Sequence, residues 1–162
     1  MMDHRPSSST VVPTFPRSNA SMPTIQRFED IRAWQTARQL TRQIYAISNQ
    51  GEFARDFGLR DQLRRASVSI MSNIAEGFES DTQAQFIRYL GQAKASSGEV
   101  RAQLYVAHDA AYISEADFEP LFDLADKCSR QLSQFIAYLK SHPNRRQIRE
   151  SHTEYDLDLP TF

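Results

Sequence analysis

Cysteine, histidine and glycine are few in this sequence, and each shortage removes a class of function. The single cysteine, Cys128, excludes an intramolecular disulfide and a cysteine-built metal cluster, which suits a reducing compartment. Five glycines among 162 residues form no phosphate-cradling loop. No run approaches the ~18 apolar residues that span a bilayer. Residues 1–26 offer only Val11-Val12 as an apolar pair, which is no signal-peptide core. A formal charge of −1 and a pI near 6.4 leave no excess with which to coat nucleic acid by net charge alone. The expectation is a soluble, cytoplasmic protein of one domain with no membrane partner.

The four histidines do not rescue a metal site. Di-iron bundles use glutamate followed by histidine three residues later, and no glutamate here has that neighbour. His4, His142 and His152 lie in or beside the predicted arms, and His108 stands alone on a helix. No Ser/His/Asp set or paired acids appear at a useful spacing. The expectation is therefore no catalytic residue, no metal and no cofactor, and a protein that is not an enzyme.

What is present is helical periodicity. Residues 1–26, with Pro6, Pro13, Pro16 and Pro23, read as a disordered arm, and residues 143–162 as a flexible tail. Met1, Met2 and Met22 are all candidate starts. Between the arms, residues 27–142 carry four apolar stripes stepping by three and four. The spacing predicts helices over Glu29 to Ser48, Phe57 to Glu76, Asp81 to Ala111 and Glu115 to Ser141. Gly77 fits a left-handed helix stop. Ser80 with Gln83 forms a candidate capping box, and Ser114 with Asp117 another cap, with Ile113 and Phe118 as its hydrophobic staple. Two short joints force neighbours to run antiparallel, so the fold class is all-α: an antiparallel up-down-up-down four-helix bundle.

The first two helices carry more apolar surface than one bundle needs. Val68, Met71, Ala75 and Phe78 lie roughly 120° from the main stripe of the second helix. Ile31, Trp34, Thr41 and Tyr45 make a second face on the first. The third helix adds a row of small residues, Gly91, Ala95, Gly98 and Ala102. A second stripe beside a charged flank marks an oligomer interface, with a widened core as the alternative. The interface expectation therefore falls on Ile31, Trp34, Tyr45, Val68, Met71, Ala75 and Phe78.

Arginine supplies the candidates for nucleic acid. Arg60, Arg64 and Arg65 on the second helix, with Arg38 and Arg42 on the first, have the forked donors that suit phosphate oxygens; a solvated face or ion pairs between subunits is the alternative. Glu76 sits in a last helical turn, where the macrodipole disfavours an acid, which points to a tertiary partner rather than to catalysis. Cys128 occupies a core position in the fourth helix.

Several stretches carry a resemblance. They are Phe28-Glu29-Asp30-Ile31-Arg32-Ala33-Trp34, Leu59-Arg60-Asp61-Gln62-Leu63-Arg64-Arg65-Ala66, Phe86-Ile87-Arg88-Tyr89-Leu90 and Ala93 to Val100, with Asn73-Ile74-Ala75-Glu76-Gly77 the most specific. In this order they resemble the four-helix-bundle family of 23S rRNA intervening-sequence proteins. The resemblance implies a small, cytoplasmic, all-helical protein that forms a ring-shaped homopentamer, for which most relatives have no established activity. The leading expectation is a non-enzymatic scaffold or interaction module linked to rRNA or ribonucleoprotein, with further copies of itself and RNA or a nucleic-acid-processing protein as partners. A related bundle, the accessory variability protein of diversity-generating retroelements, pairs with a reverse transcriptase and binds nucleic acid through basic surfaces, which is the alternative reading. This chain departs from that pattern: Glu76 to Asp126 hold ten acids against Arg88, Lys94 and Arg101.

Overall fold

The computed structural model describes residues 25–143. The expected arm, apart from Ile25 and Gln26, and the expected tail from residue 144 lie outside them. Four helices make up the fold: α1 (Arg32–Ile47), α2 (Phe57–Phe78), α3 (Gln83–Asp109) and α4 (Glu115–Ser141). Short 3₁₀ turns at Phe28–Asp30 and Phe53–Arg55 precede α1 and α2. No strand occurs among the described residues, and none of their helices is long and apolar enough to cross a membrane. The all-α bundle read from the periodicity is the fold observed.

Three of the four helices start at a side-chain cap. The Asp56 carboxylate accepts the Leu59 amide at 3.0 Å and opens α2. Ser114 accepts the Asp117 amide at 3.2 Å and opens α4, as its sequence predicts. The cap of α3 lies two residues beyond the predicted Ser80. Thr82 holds the extended backbone of a cap and forms the box with Gln85, while Ser80 donates to the Gly77 carbonyl. The first helix also begins later than predicted. Asp30 accepts the Gln26 and Arg27 amides, each at 3.2 Å, which closes a separate turn ahead of Ile31.

The predicted stripes face one another and form one core. Leu40, Ile44, Leu63, Ile70, Ile74, Leu90, Val100, Leu104 and Leu132 are all fully buried. Ile25 joins them from the segment assigned to the arm. Ile31, assigned to the oligomer interface, is also fully buried, and that assignment is corrected. It precedes the first helical turn, so its direction follows the entering chain rather than the wheel of α1.

Hydrogen bonds between neighbours fix the antiparallel order. The Thr41 hydroxyl donates to the Ser67 carbonyl at 3.2 Å, and the Arg64 guanidinium to the Ser48 hydroxyl at 2.8 Å, joining α1 to α2. The Ser97 hydroxyl donates to the Ala125 carbonyl at 2.6 Å inside the α3–α4 contact. Around the bundle, α1 packs on α2 and α4, and α3 on α2 and α4.

Candidate functional site

The segment around Asn73 turns out to be a code for helix contact. The Asn73 amide donates to the Ser69 carbonyl at 2.8 Å and to the Ser69 hydroxyl at 3.0 Å. That hydroxyl lies 3.0 Å from the Ser96 hydroxyl of α3, so a polar chain ties α2 to α3. Ile74 is fully buried in the core. Gly77 corrects the sequence reading: it is buried and helical, and its backbone φ is not in the left-handed region. A Cβ there would stand 2.7 Å from Phe86 Cδ2 and 2.8 Å from Tyr89 Cβ, closer than packed atoms come. Glycine is used at this point so that α3 can approach. Of the segment, Glu76 alone is exposed, and it has no ion pair among the described residues.

Glu76 lines an open groove of about 660 Å³ on the outer side of α2. Tyr45, Arg64, Arg65, Val68 and Asn73 share that groove. Tyr45 and Val68 are 45% and 39% exposed, so these two of the expected interface residues present real apolar surface. Trp34, Met71 and Phe78 are only partly exposed and pack against the core, Trp34 edge-on to Phe28 and Phe78 edge-on to Phe86. Ala75 is half-buried.

The five candidate arginines do not converge. Arg60 donates to the Ala54 carbonyl at 2.9 Å, pairs with Asp61 at 3.0 Å and covers the Phe57 ring. Arg64 is held by Ser48 and lies 4.8 Å over the Tyr45 ring. Both therefore serve the joint between α1 and α2. Arg38, Arg42 and Arg65 are exposed. Arg38 and Arg42 lie on a separate groove along α1, with Arg38 stacked 5.8 Å over Trp34, whereas Arg65 lies on the α2 groove. An arginine's place along a helix is legible in sequence, but whether its fork is already occupied depends on the neighbouring chain.

A second surface escaped the sequence reading. Tyr105 and Val106 on α3 are each about half exposed. Tyr105 contacts the rings of Phe118 and Phe122 on α4 at 5.1 and 5.4 Å. His108 pairs with Glu115 at 2.8 Å, and Asp126 receives both Arg101 and Arg130 at 3.1 Å. The one available signal was the pair of large side chains directly after core residue Leu104.

Candidate chemistry elsewhere is thin. Burial pushes the Cys128 thiol up to about 12, so it stays protonated and unreactive at neutral pH. No group of three His, Cys, Asp or Glu stands together for a metal among the described residues. Tyr112 stacks on Phe53 and donates to Asp56 at 3.2 Å, and its phenol is pushed up by desolvation and then by that carboxylate.

The family model of the 23S rRNA-intervening sequence proteins matches residues 29–134, which cover α1, α2 and α3 and most of α4. The chain belongs to that family. Its fold is similar to the crystal structure of a protein of unknown function from the S23 ribosomal protein family of Bacteroides thetaiotaomicron. The TM-score is 0.60 at 20% identity, over 64% of this chain and 97% of that one. No curated protein matches the chain. Within the family's matched region lie the Asn73–Ser69–Ser96 chain and Gly77, both of which build the α2–α3 contact.

Proposed function

We propose that the protein is a non-enzymatic interaction module that works as a homo-oligomer, with ribosomal RNA or ribonucleoprotein as its setting. The observation that carries this is the exposed pair Tyr45 and Val68 on the outer groove of α1 and α2, apolar surface that the subunit's own core leaves uncovered. A pentamer is the assembly that the family resemblance suggests. The polar groups around Asn73 are consumed in joining helices, which favours a structural use of that segment over a catalytic one.

Sedimentation velocity on the full chain tests the reading: an oligomer at micromolar concentration is expected, and a clean monomer refutes it. The setting is tested separately by the ratio of absorbance at the nucleic-acid and protein maxima after purification at low salt. The reading as a nucleic-acid-binding accessory of a retroelement reverse transcriptase rests on the arginines. Arg60 and Arg64 are already held by intramolecular partners, which leaves Arg38, Arg42 and Arg65 to support it. If those three bind phosphate, their joint replacement by alanine weakens RNA binding and flattens its salt dependence.

A further inference from the structure

The outer side of α1 carries arginine without acid. Helix α1 holds Arg32, Arg38 and Arg42 and no carboxylate. Arg38 and Arg42 are exposed and have no ion pair among the described residues. They stand one helical turn apart on one face, about 6 Å along the axis. Both line an open groove of about 490 Å³ together with the half-buried Trp34. Two acids, Glu29 and Asp30, stand at the end of that groove nearest the helix start, and Arg27 reaches them at 3.5 and 3.8 Å. The groove of α2 differs: there Arg64 and Arg65 share the lining with Asp61 and Glu76.

A complementary charge pattern lies in the sequence beyond Pro143. Arg145, Arg146 and Arg149 come first, and Glu154, Asp156 and Asp158 follow, alternating with Tyr155, Leu157 and Leu159. In an extended chain alternate residues point the same way, which would set Asp156 and Asp158 about 6.8 Å apart on one side. That spacing is close to the step between Arg38 and Arg42. Strict alternation of acid and apolar residue keeps Tyr155 and Leu157 on the other side.

The bundle brings the end of α4 to the side where α1 starts. The Cys128 thiol donates to the Ala33 carbonyl at 3.5 Å, which sets the two helices level at these residues. Ser141 lies about 20 Å beyond that level along α4, and Arg38 about 8 Å from it in the opposite direction. With about 10 Å between helix axes, the path from the end of α4 to Arg38 is about 30 Å. An extended chain from Pro143 to Asp156 covers up to about 43 Å, which reaches Arg38 with slack. Running that way, the chain passes Glu29 and Asp30 with its arginines before it meets Arg38 and Arg42 with its acids.

We infer that residues 154–159 dock on the arginine groove of α1 in the same chain, Asp156 on Arg38 and Asp158 on Arg42. Opposite charges in matched order set the direction, and two carboxylates at the arginine spacing set the register. Tyr155 then lies beside Trp34, one turn before Arg38, and covers its ring. The contact is made within one subunit and does not depend on self-association.

Trp34 is the only tryptophan of the chain, so acrylamide quenching of its emission reads the groove directly. Arg42 is exchanged rather than Arg38, because Arg38 itself stacks over the ring. In the full chain, Asp158→Arg and Arg42→Glu should each raise the quenching constant about twofold, the size of shift that loss of one exposed ion pair produces. Combining the two substitutions in one chain should return the parent value. Sodium chloride at about 0.5 M should release the segment in the parent and leave Asp158→Arg unchanged. Circular dichroism checks the fold; should Arg42→Glu unfold the bundle, Asp158→Arg and the salt response decide. A parent quenched as freely as folded Asp158→Arg overturns the contact, and so does a folded double variant that stays unprotected. Co-expression of the two single variants restores protection only where the segment comes from another copy, a result that overturns docking within one chain.

Discussion

At the joint between α2 and α3 a glycine stays helical, whereas at the joint between α3 and α4 an alanine takes the left-handed turn. Gly77 sits in the last turn of α2, pressed against Phe86 and Tyr89. Ala111 has φ 58°, and the Tyr112 amide returns to the Ala107 carbonyl at 2.9 Å, the hydrogen-bond closure of a Schellman ending. Glycine would suit that second position best, yet it is found at the first. The difference teaches that here the lack of a Cβ is used for interhelical distance, and backbone strain is accepted where the chain is exposed. Ala111 is exposed.

The largest effect should come from closing the gap at the first joint. Gly77→Ala gains helix propensity but drives a methyl into Phe86 and the Tyr89 Cβ, where α3 itself must shift. Overpacking outweighs propensity, and the net loss should be about 2 kcal/mol, read as a lower urea midpoint. A raised midpoint would remove the close-approach account of this glycine. Next, Asn73→Ala strips the polar chain that runs through Ser69 to Ser96 and should cost about 1 kcal/mol.

The opposite sign is expected at the second joint. Ala111→Gly relieves a left-handed alanine and should stabilise by about 1 kcal/mol, less the entropy that glycine adds to the unfolded chain. If it destabilises instead, the contrast between the joints fails. Thr82→Ala and Ser114→Ala remove the caps that follow each joint, and each should cost about 1 kcal/mol. Similar losses would show that the joints differ in how a helix ends and not in how the next begins.

Cys128, remote from both joints, reports on the whole bundle. Its thiol is raised from 9.0 to about 12 by burial, so the folded state holds its proton where the unfolded chain releases it. Stability from this group is complete below pH 9 and declines as pH rises beyond it. Thiol labelling near pH 8 should be slow in the parent, faster in Gly77→Ala and slower still in Ala111→Gly, because modification requires the core to open. Equal rates in all three would mean that Cys128 is reached by a local route.

Much of the bundle was legible in the sequence because amphipathic periodicity is a local property. The stripe Phe86, Leu90, Ala93, Ser97, Val100, Leu104, Ala107 is the buried face of α3, whereas Ala111, which the pattern also includes, lies exposed beyond the end of the helix; α4 starts and ends as its pattern predicts. Ser114 was legible as a cap for the same reason. The candidate surface was harder to read. Tyr45 and Val68 were found as a second stripe, but Ile31 was misplaced because it precedes the helix whose wheel was applied to it. Tyr105 and Val106 belong to no stripe and passed unnoticed until α4 was set beside them.

The amino-acid sequence by itself determined four amphipathic helices, their order, their antiparallel connection and membership of the family whose model matches residues 29–134. Only the tertiary structure decided that Gly77 serves an approach of helices and that Arg60 and Arg64 are held within the subunit. Periodicity records which side of a helix is apolar. Separation between helices and occupancy of a guanidinium depend on residues distant in the chain, and they exist only once the bundle has packed.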